Sequence, residues 1–270
     1  MKREMGEERL SGLKAQVYRD PRPAEYFQRF HERARTREPD AIYEVARVLA
    51  TIFGFAVFRA RAIGADNVPA HGPVIVAPNH FSFMDHFFVG MFIRRRVRFM
   101  AKSQLFAPPM QWIYEHGGAF PVRRGQRDEE AFVTATEILR RGGCLTMYPE
   151  AGRSRSGKLA SAAKPGVGRI ALATGAPVVP VAIFGSQRVR NWKRLQFPKV
   201  TVQYGEPVTF PVEADPSRER QQEVADEVFA HIRELYAGLE EHGPRSIAQR
   251  VREQQRALRR AKRRRAAPAS

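Results

Sequence analysis

Short apolar runs alternate with helix-length segments from about residue 62 to residue 212, and no other feature restricts the fold as strongly. Residues 74–77, 97–101, 118–122, 144–148, 178–184 and 200–204 read as strands. Residues 84–93, 104–116, 128–140 and 166–174 read as the helices between them. This alternation predicts a single α/β domain with a mostly parallel or mixed sheet covered by helices. Catalytic groups in such folds gather beyond the strand ends. A further helix is expected after Asp215-Pro216, where Val224, Val228, Ile232, Leu235 and Leu239 recur at helical spacing, and Gly243-Pro244 should end it.

At 270 residues, 43% of them hydrophobic, the chain can bury one substantial core. Cys144 is the single cysteine, so an intrachain disulfide is ruled out and a reducing compartment is expected. Its apolar neighbours make it a small core residue. Residues 1–40 are polar and mixed in charge, with no apolar signal segment, and read as a cap on the main domain at 62–242. Residues 41–61 read as an amphipathic helix at a membrane interface. Glu44 and Arg47 interrupt it, and the charge-free stretch 48–58 falls short of the ~20 residues that cross a bilayer. Such a helix would lie apolar side down with Arg47, Arg59 and Arg61 near the headgroups; packing on the protein body is the alternative. Residues 243–270 form a basic tail. Between 245 and 265 it holds ten Lys or Arg and one acid, Glu253, which is half of the net charge of +18. That field favours anionic partners: acidic headgroups, nucleic acid, or phosphorylated and acidic carrier substrates.

Asn79-His80-Phe81-Ser82-Phe83-Met84-Asp85 follows the apolar run 73–77. Helical positions five apart lie about 140° from each other around the axis. His80 and Asp85 can therefore meet only if His80 sits in the turn at a helix start and Asp85 one turn inside. Asp85 would then accept from one imidazole nitrogen and leave the other free as a base. Two more strands end in cations: residues 118–122 lead into Arg123 and Arg124, and residues 144–148 into a small-residue loop carrying Arg153 and Arg155. Guanidinium groups and backbone amides at strand ends suit a phosphate monoester. Each segment alone is equally well read as a solvated charge. Gly152-x4-Gly157-Lys158 imitates a nucleotide-binding loop, but Leu159 stands where a magnesium-binding hydroxyl belongs. No metal site is expected, since His80 and His86 are six apart and no Cys/His cluster exists.

Taken in order, Asn79-His80 with Asp85, Phe120-Pro121-Val122-Arg123-Arg124, Tyr148-Pro149-Glu150-Ala151-Gly152-Arg153-Ser154 and Val178-Val179-Pro180-Val181 resemble the four motifs of the glycerophospholipid acyltransferase superfamily. The 1-acylglycerol-3-phosphate acyltransferases are the most similar branch. The resemblance covers about residues 45 to 210 and implies an acyltransferase domain over 62–242. It implies that His80 is the general base toward the acceptor hydroxyl and that Asp85 orients it. Arg124, with Glu150 and Arg153, would bind the acceptor phosphate, and Asn79, Gly152 and Ser154 would complete the substrate site. The implied donor is acyl-CoA or acyl-carrier protein, with no further cofactor. The implied acceptor is a lysophospholipid, glycerol-3-phosphate or another hydroxyl-bearing lipid being the alternative. The expected setting is the anionic inner face of the cell membrane, with the enzyme cytoplasmic and peripheral. A non-catalytic lipid- or nucleic-acid-binding protein is the rival reading, and nucleic acid is disfavoured because no base-reading motif accompanies the charge. One departure stands out. Where the family usually has Glu-Gly-Thr-Arg, this chain has Glu150-Ala151-Gly152-Arg153, so Ala151 must take a backbone shape usually given to glycine.

Overall fold

The computed structural model describes residues 19–125, 128–154, 156–189 and 197–266, with side chains through residue 257. Much of the polar N-terminal segment (1–18), Arg155 and the last four residues of the tail lie outside the described residues.

Among the described residues, seven strands build one sheet: β1 (Arg61–Ile63), β2 (Val74–Pro78), β3 (Val97–Lys102), β4 (Ala119–Val122), β5 (Cys144–Thr146), β6 (Val178–Phe184) and β7 (Thr201–Tyr204). Their order across the sheet is β1-β7-β6-β2-β5-β3-β4. Every neighbouring pair from β6 to β4 is parallel, β7 runs antiparallel to β6, and β1 pairs parallel with β7. The helices are α1 (Glu25–Thr36), α2 (Ala41–Phe58), α3 (Asp85–Gly90), α4 (Gln111–His116), α5 (Glu129–Arg140), α6 (Gly166–Thr174) and α7 (Arg218–Ala266).

Each central strand is apolar on both faces because both faces are covered. Val74, Val76, Val179 and Val181 pack with Phe58 at the end of α2 and with Phe88 and Val89 of α3. Ile75, Ala77, Leu145 and Val178 face the other way, onto α5, α6 and α7. β2 lies at the middle of this double cover, buried along its whole length, and delivers Asn79 and His80 beyond the sheet.

Three elements differ from the expectation. α1 forms within the segment that reads as polar, because Phe27, Phe30, His31 and Ala34 share one face and bury it. β1 is too short, and begins with too polar a residue, to announce itself. The expected helix at 104–116 resolves into a 3-10 turn, Ser103–Leu105, and the short α4, with Pro108 and Pro109 between them removing the donors a continuous helix needs.

Asp40 caps α2, accepting from the Ile42 N–H at 3.1 Å. Glu44 accepts from Arg47 and from Arg96 on the body, and Phe58 is buried. Between these anchors the helix faces outward: Leu49 and Ile52 are each 61% exposed, and Val45, Val48, Phe53 and Phe55 are exposed beside them. Among the described residues, α2 is long and apolar enough by length and composition to cross a membrane. At the other end of the chain, α7 breaks at Gly243 (φ 75°, ψ 151°), where the sequence places its end, and a second helical arm follows.

His31 lies 2% exposed, with its Nδ1 3.0 Å from Thr134 Oγ1. Burial holds its pKa down at about 4, against an ordinary 6.5. The unfolded chain therefore takes up a proton below pH 6.5 that the fold refuses until about pH 4. Stability conferred by the neutral imidazole is full above pH 6.5 and is lost as the pH falls toward 4. Urea unfolding of wild type and His31→Gln across that window should show a wild-type slope steeper by about 1.4 kcal/mol per pH unit. Parallel slopes would refute this account.

Candidate active site

β2 ends, the chain turns through Phe81 to Met84, and α3 begins at Asp85. The histidine thus sits in the loop before the helix, as the spacing requires, but Asp85 occupies the first helical residue rather than a position one turn inside. Its Oδ2 accepts from His80 Nδ1 at 2.9 Å and from the Phe81 and Ser82 N–H groups at 2.7 Å each. The carboxylate thereby shapes the loop that presents its partner. With Nδ1–H committed to Asp85, the lone pair of Nε2 is left for a proton from outside. The Tyr148 ring stacks on the imidazole, centroids 4.1 Å apart and planes inclined by 27°. Burial and the negative Asp85 raise the Tyr148 pKa well above its ordinary value, so the phenol stays protonated.

The loop after β5 braces the same histidine through the backbone. Glu150 Oε1 accepts from the His80 N–H at 2.8 Å, and Ser154 N–H donates to the His80 carbonyl at 2.9 Å. The second Glu150 oxygen accepts from the Ala160 N–H at 3.1 Å. Burial raises the Glu150 pKa, and these two donors work against that rise. Glu150 is therefore engaged with the loop backbone rather than turned toward an acceptor phosphate. Asn79 is likewise occupied: its amide donates to the Ile183 carbonyl and accepts from the Ile183 N–H at 2.6 Å, tying β2 to β6. The sequence shows polar residue types at these positions but not the direction they point. Ala151 adopts φ 52°, the left-handed shape anticipated for it.

A cavity of about 720 Å³ opens at His80. Arg124, Arg153, Ser154 and Lys102 are among the residues that line it. A Cβ on Gly152 would stand 3.8 Å from Arg124 Nη1, so the loop after β4 and the loop after β5 meet there. Arg123 turns away; its N–H and guanidinium face Asp128. Ala46, Arg47 and Ala50 of α2 line the cavity as well, with the apolar Met91, Phe99 and Ile113. His86 also lines the cavity, but burial pushes its pKa to about 3, which keeps it neutral where His80 would act. Lys102 and Tyr148 escape the sequence reading as site residues, although Lys102 ends a parallel strand and the strand-end rule that located His80 applies to it equally. Cys144 is buried, with its pKa pushed up to about 12, in keeping with a core residue rather than a nucleophile. Among the described residues no three His, Cys, Asp or Glu side chains gather where a metal ion could be shared.

The cavity thus brings together an imidazole with one uncommitted nitrogen, several cations and apolar walls. Residues 59–184 match the family model described as Acyltransferase. The chain is 26% identical over 149 residues to a chloroplastic 1-acyl-sn-glycerol-3-phosphate acyltransferase of Arabidopsis thaliana, covering 54% of this chain and 41% of the relative. It is 32% identical over 127 residues to a 1-acyl-sn-glycerol-3-phosphate acyltransferase of Borreliella burgdorferi, covering 46% of this chain and 50% of the relative. The matches thus span half or less of these curated relatives. The crystal structure of the 1-acyl-sn-glycerophosphate (LPA) acyltransferase of Thermotoga maritima superposes with a TM-score of 0.55 at 29% identity, covering 72% of this chain and 80% of that one. With the family model and the solved structure in agreement, residues 59–184 form an acyltransferase-family domain.

Proposed function

We propose that this protein moves a fatty acyl group from an acyl thioester to the free hydroxyl of a lysophospholipid, converting 1-acylglycerol-3-phosphate to phosphatidic acid. The observation that carries the reading is His80: its Nδ1 is committed to Asp85, and it lines a cavity that also holds several cations and apolar walls.

In the reaction, His80 Nε2 takes the proton of the acceptor hydroxyl as that oxygen attacks the thioester carbonyl. Asp85 supports the imidazolium that results. The tetrahedral intermediate collapses by breaking the carbon–sulfur bond, and the imidazolium returns the proton to the departing thiolate. Acyl-CoA or acyl-carrier protein serves as donor, and no covalent acyl-enzyme is required. Arg124 and Arg153 bind the acceptor phosphate, with Lys102 adding charge to the same cavity. The apolar residues lining the cavity receive an acyl chain, and the outward apolar face of α2 supports a peripheral, cytoplasmic position on the inner surface of the cell membrane. Labelled acyl-CoA offered with a panel of lysophospholipids and glycerol-3-phosphate tests the acceptor directly; a product from glycerol-3-phosphate alone would reject it.

His80→Ala should lower kcat by about 10²–10⁴-fold with the fold intact by circular dichroism. Asp85→Asn should cost less, since an amide oxygen can still accept the three N–H donors while the charge is lost. Near wild-type turnover in a folded His80→Ala preparation would overturn the catalytic assignment.

Arg124→Ala and Arg153→Ala should each raise the KM for the acceptor by roughly tenfold to a hundredfold, the scale of one charge-assisted contact, with little change in the KM for the donor. Lysine at either position should rescue only in part, because it lacks the planar fork. Equal changes for both substrates would count against a phosphate role.

A further inference from the structure

The arm beyond Gly243 carries the largest charge on the molecule, and the catalytic chemistry makes no use of it. It folds back on the first part of α7: Ile247 Cδ1 lies 3.8 Å from where a Cβ on Gly238 would stand. Ile247, Ala248 and Val251 pack against a cluster of Ile63, Phe81, Ala182, Tyr236 and Leu239. Arg245, Arg250, Arg252 and Arg256 are exposed. Over the described side chains, 245–257, the arm is therefore amphipathic with Ile247, Ala248 and Val251 turned to the body, which leaves charge as its outward means of contact there.

The cluster it covers lies behind the catalytic loop. Phe81 follows His80, sets its ring edge-on to Tyr236 at 5.7 Å, and donates its N–H to Asp85. Leu159 packs on the same cluster, and the next residue, Ala160, donates to Glu150, which in turn holds the His80 N–H.

We infer that the arm is an electrostatic docking surface for an anionic bilayer, which it meets through its outward cations while its apolar stripe stays on the body and backs the catalytic loop. Charge complementarity is one ground: four exposed arginines within 245–256 are followed in the sequence by Arg259, Arg260, Lys262 and Arg263 to Arg265. The second ground is what the arm lacks. No aromatic residue occurs from 245 to 270, so it offers no platform on which bases could stack. The stripe in contact with the body sets this apart from an inserting helix, because binding then follows charge and salt rather than apolar area. The membrane partner rests on the acyltransferase reading only through its lipid substrates.

The experiment uses the full chain, Arg250→Glu/Arg252→Glu/Arg256→Glu, and Ile247→Asp/Val251→Asp. Each is co-sedimented with vesicles of phosphatidylcholine alone or mixed with phosphatidylglycerol, at low and high salt, and assayed separately on detergent-dispersed substrate. The charge-reversed variant should bind the anionic vesicles about tenfold or more weakly at low salt, lose most of the salt dependence, match wild type on phosphatidylcholine, and keep its activity in detergent. The Ile247→Asp/Val251→Asp variant should keep its salt-sensitive vesicle binding but lose activity in detergent severalfold through the uncovered Phe81 and Tyr236. Anionic-vesicle binding by the charge-reversed variant equal to wild type overturns the proposal. So does wild-type activity in the Ile247→Asp/Val251→Asp variant, or a charge-dependent affinity for a DNA duplex that exceeds that for the vesicles. Sedimentation needs no turnover. A wild-type protein that transfers no acyl group would sink the functional reading while leaving the bilayer contact to be decided on its own.

Discussion

Asp85 holds a carboxylate at zero exposure, and so buried a charge is costly unless donors meet it. Three N–H groups do so, from His80, Phe81 and Ser82, and all converge on one oxygen. Satisfying that oxygen fixes the path of the chain from β2 into α3, and with it the tautomer and direction of the imidazole. A side chain otherwise classed as the supporting member of a pair therefore governs the local fold as well as the chemistry.

The loop after β5 completes the restraint from the opposite side. Glu150 and Ser154 grip the His80 backbone by its N–H and its carbonyl. The imidazole is stacked on Tyr148, and the strand behind it is buried along its length. A general base needs to be within hydrogen-bond reach of its proton at the moment of attack. For the base proposed at His80, that position is set by parts of the chain seventy residues apart, brought together because β2 and β5 are sheet neighbours.

Much of this was legible in the sequence, and the omissions have physical causes. Fully buried strands such as β2 and β6 declare themselves because both faces must be apolar, which leaves an uninterrupted run between Gly and Pro. α1 hid because Phe27, Phe30 and Ala34 are diluted by the charged face of the same helix, so a window average reads as polar. Pro108 and Pro109 were visible, yet the apolar residues on either side suggested continuity. His80 and Asp85 stood out by residue type, spacing and position at a strand end, whereas Arg124 and Arg153 were singled out only through the resemblance to a known family. The orientation of Glu150 and Asn79 did not, since both turn inward to satisfy backbone groups, and a string of letters carries no direction.

The sheet has two open margins, and each is defended against strand addition from another molecule. β1 is only three residues long and begins at the exposed Arg61. β4 carries Pro121, which cannot donate to an incoming ladder, and α1 packs over it. Short, charged or proline-bearing edges are the usual guards against aggregation. They matter here because, under the membrane placement proposed above, the apolar surface of α2 would gather copies of the chain at an interface, where crowded sheets with open edges could fuse. A protein built this way can be concentrated on a surface and still remain a population of separate molecules.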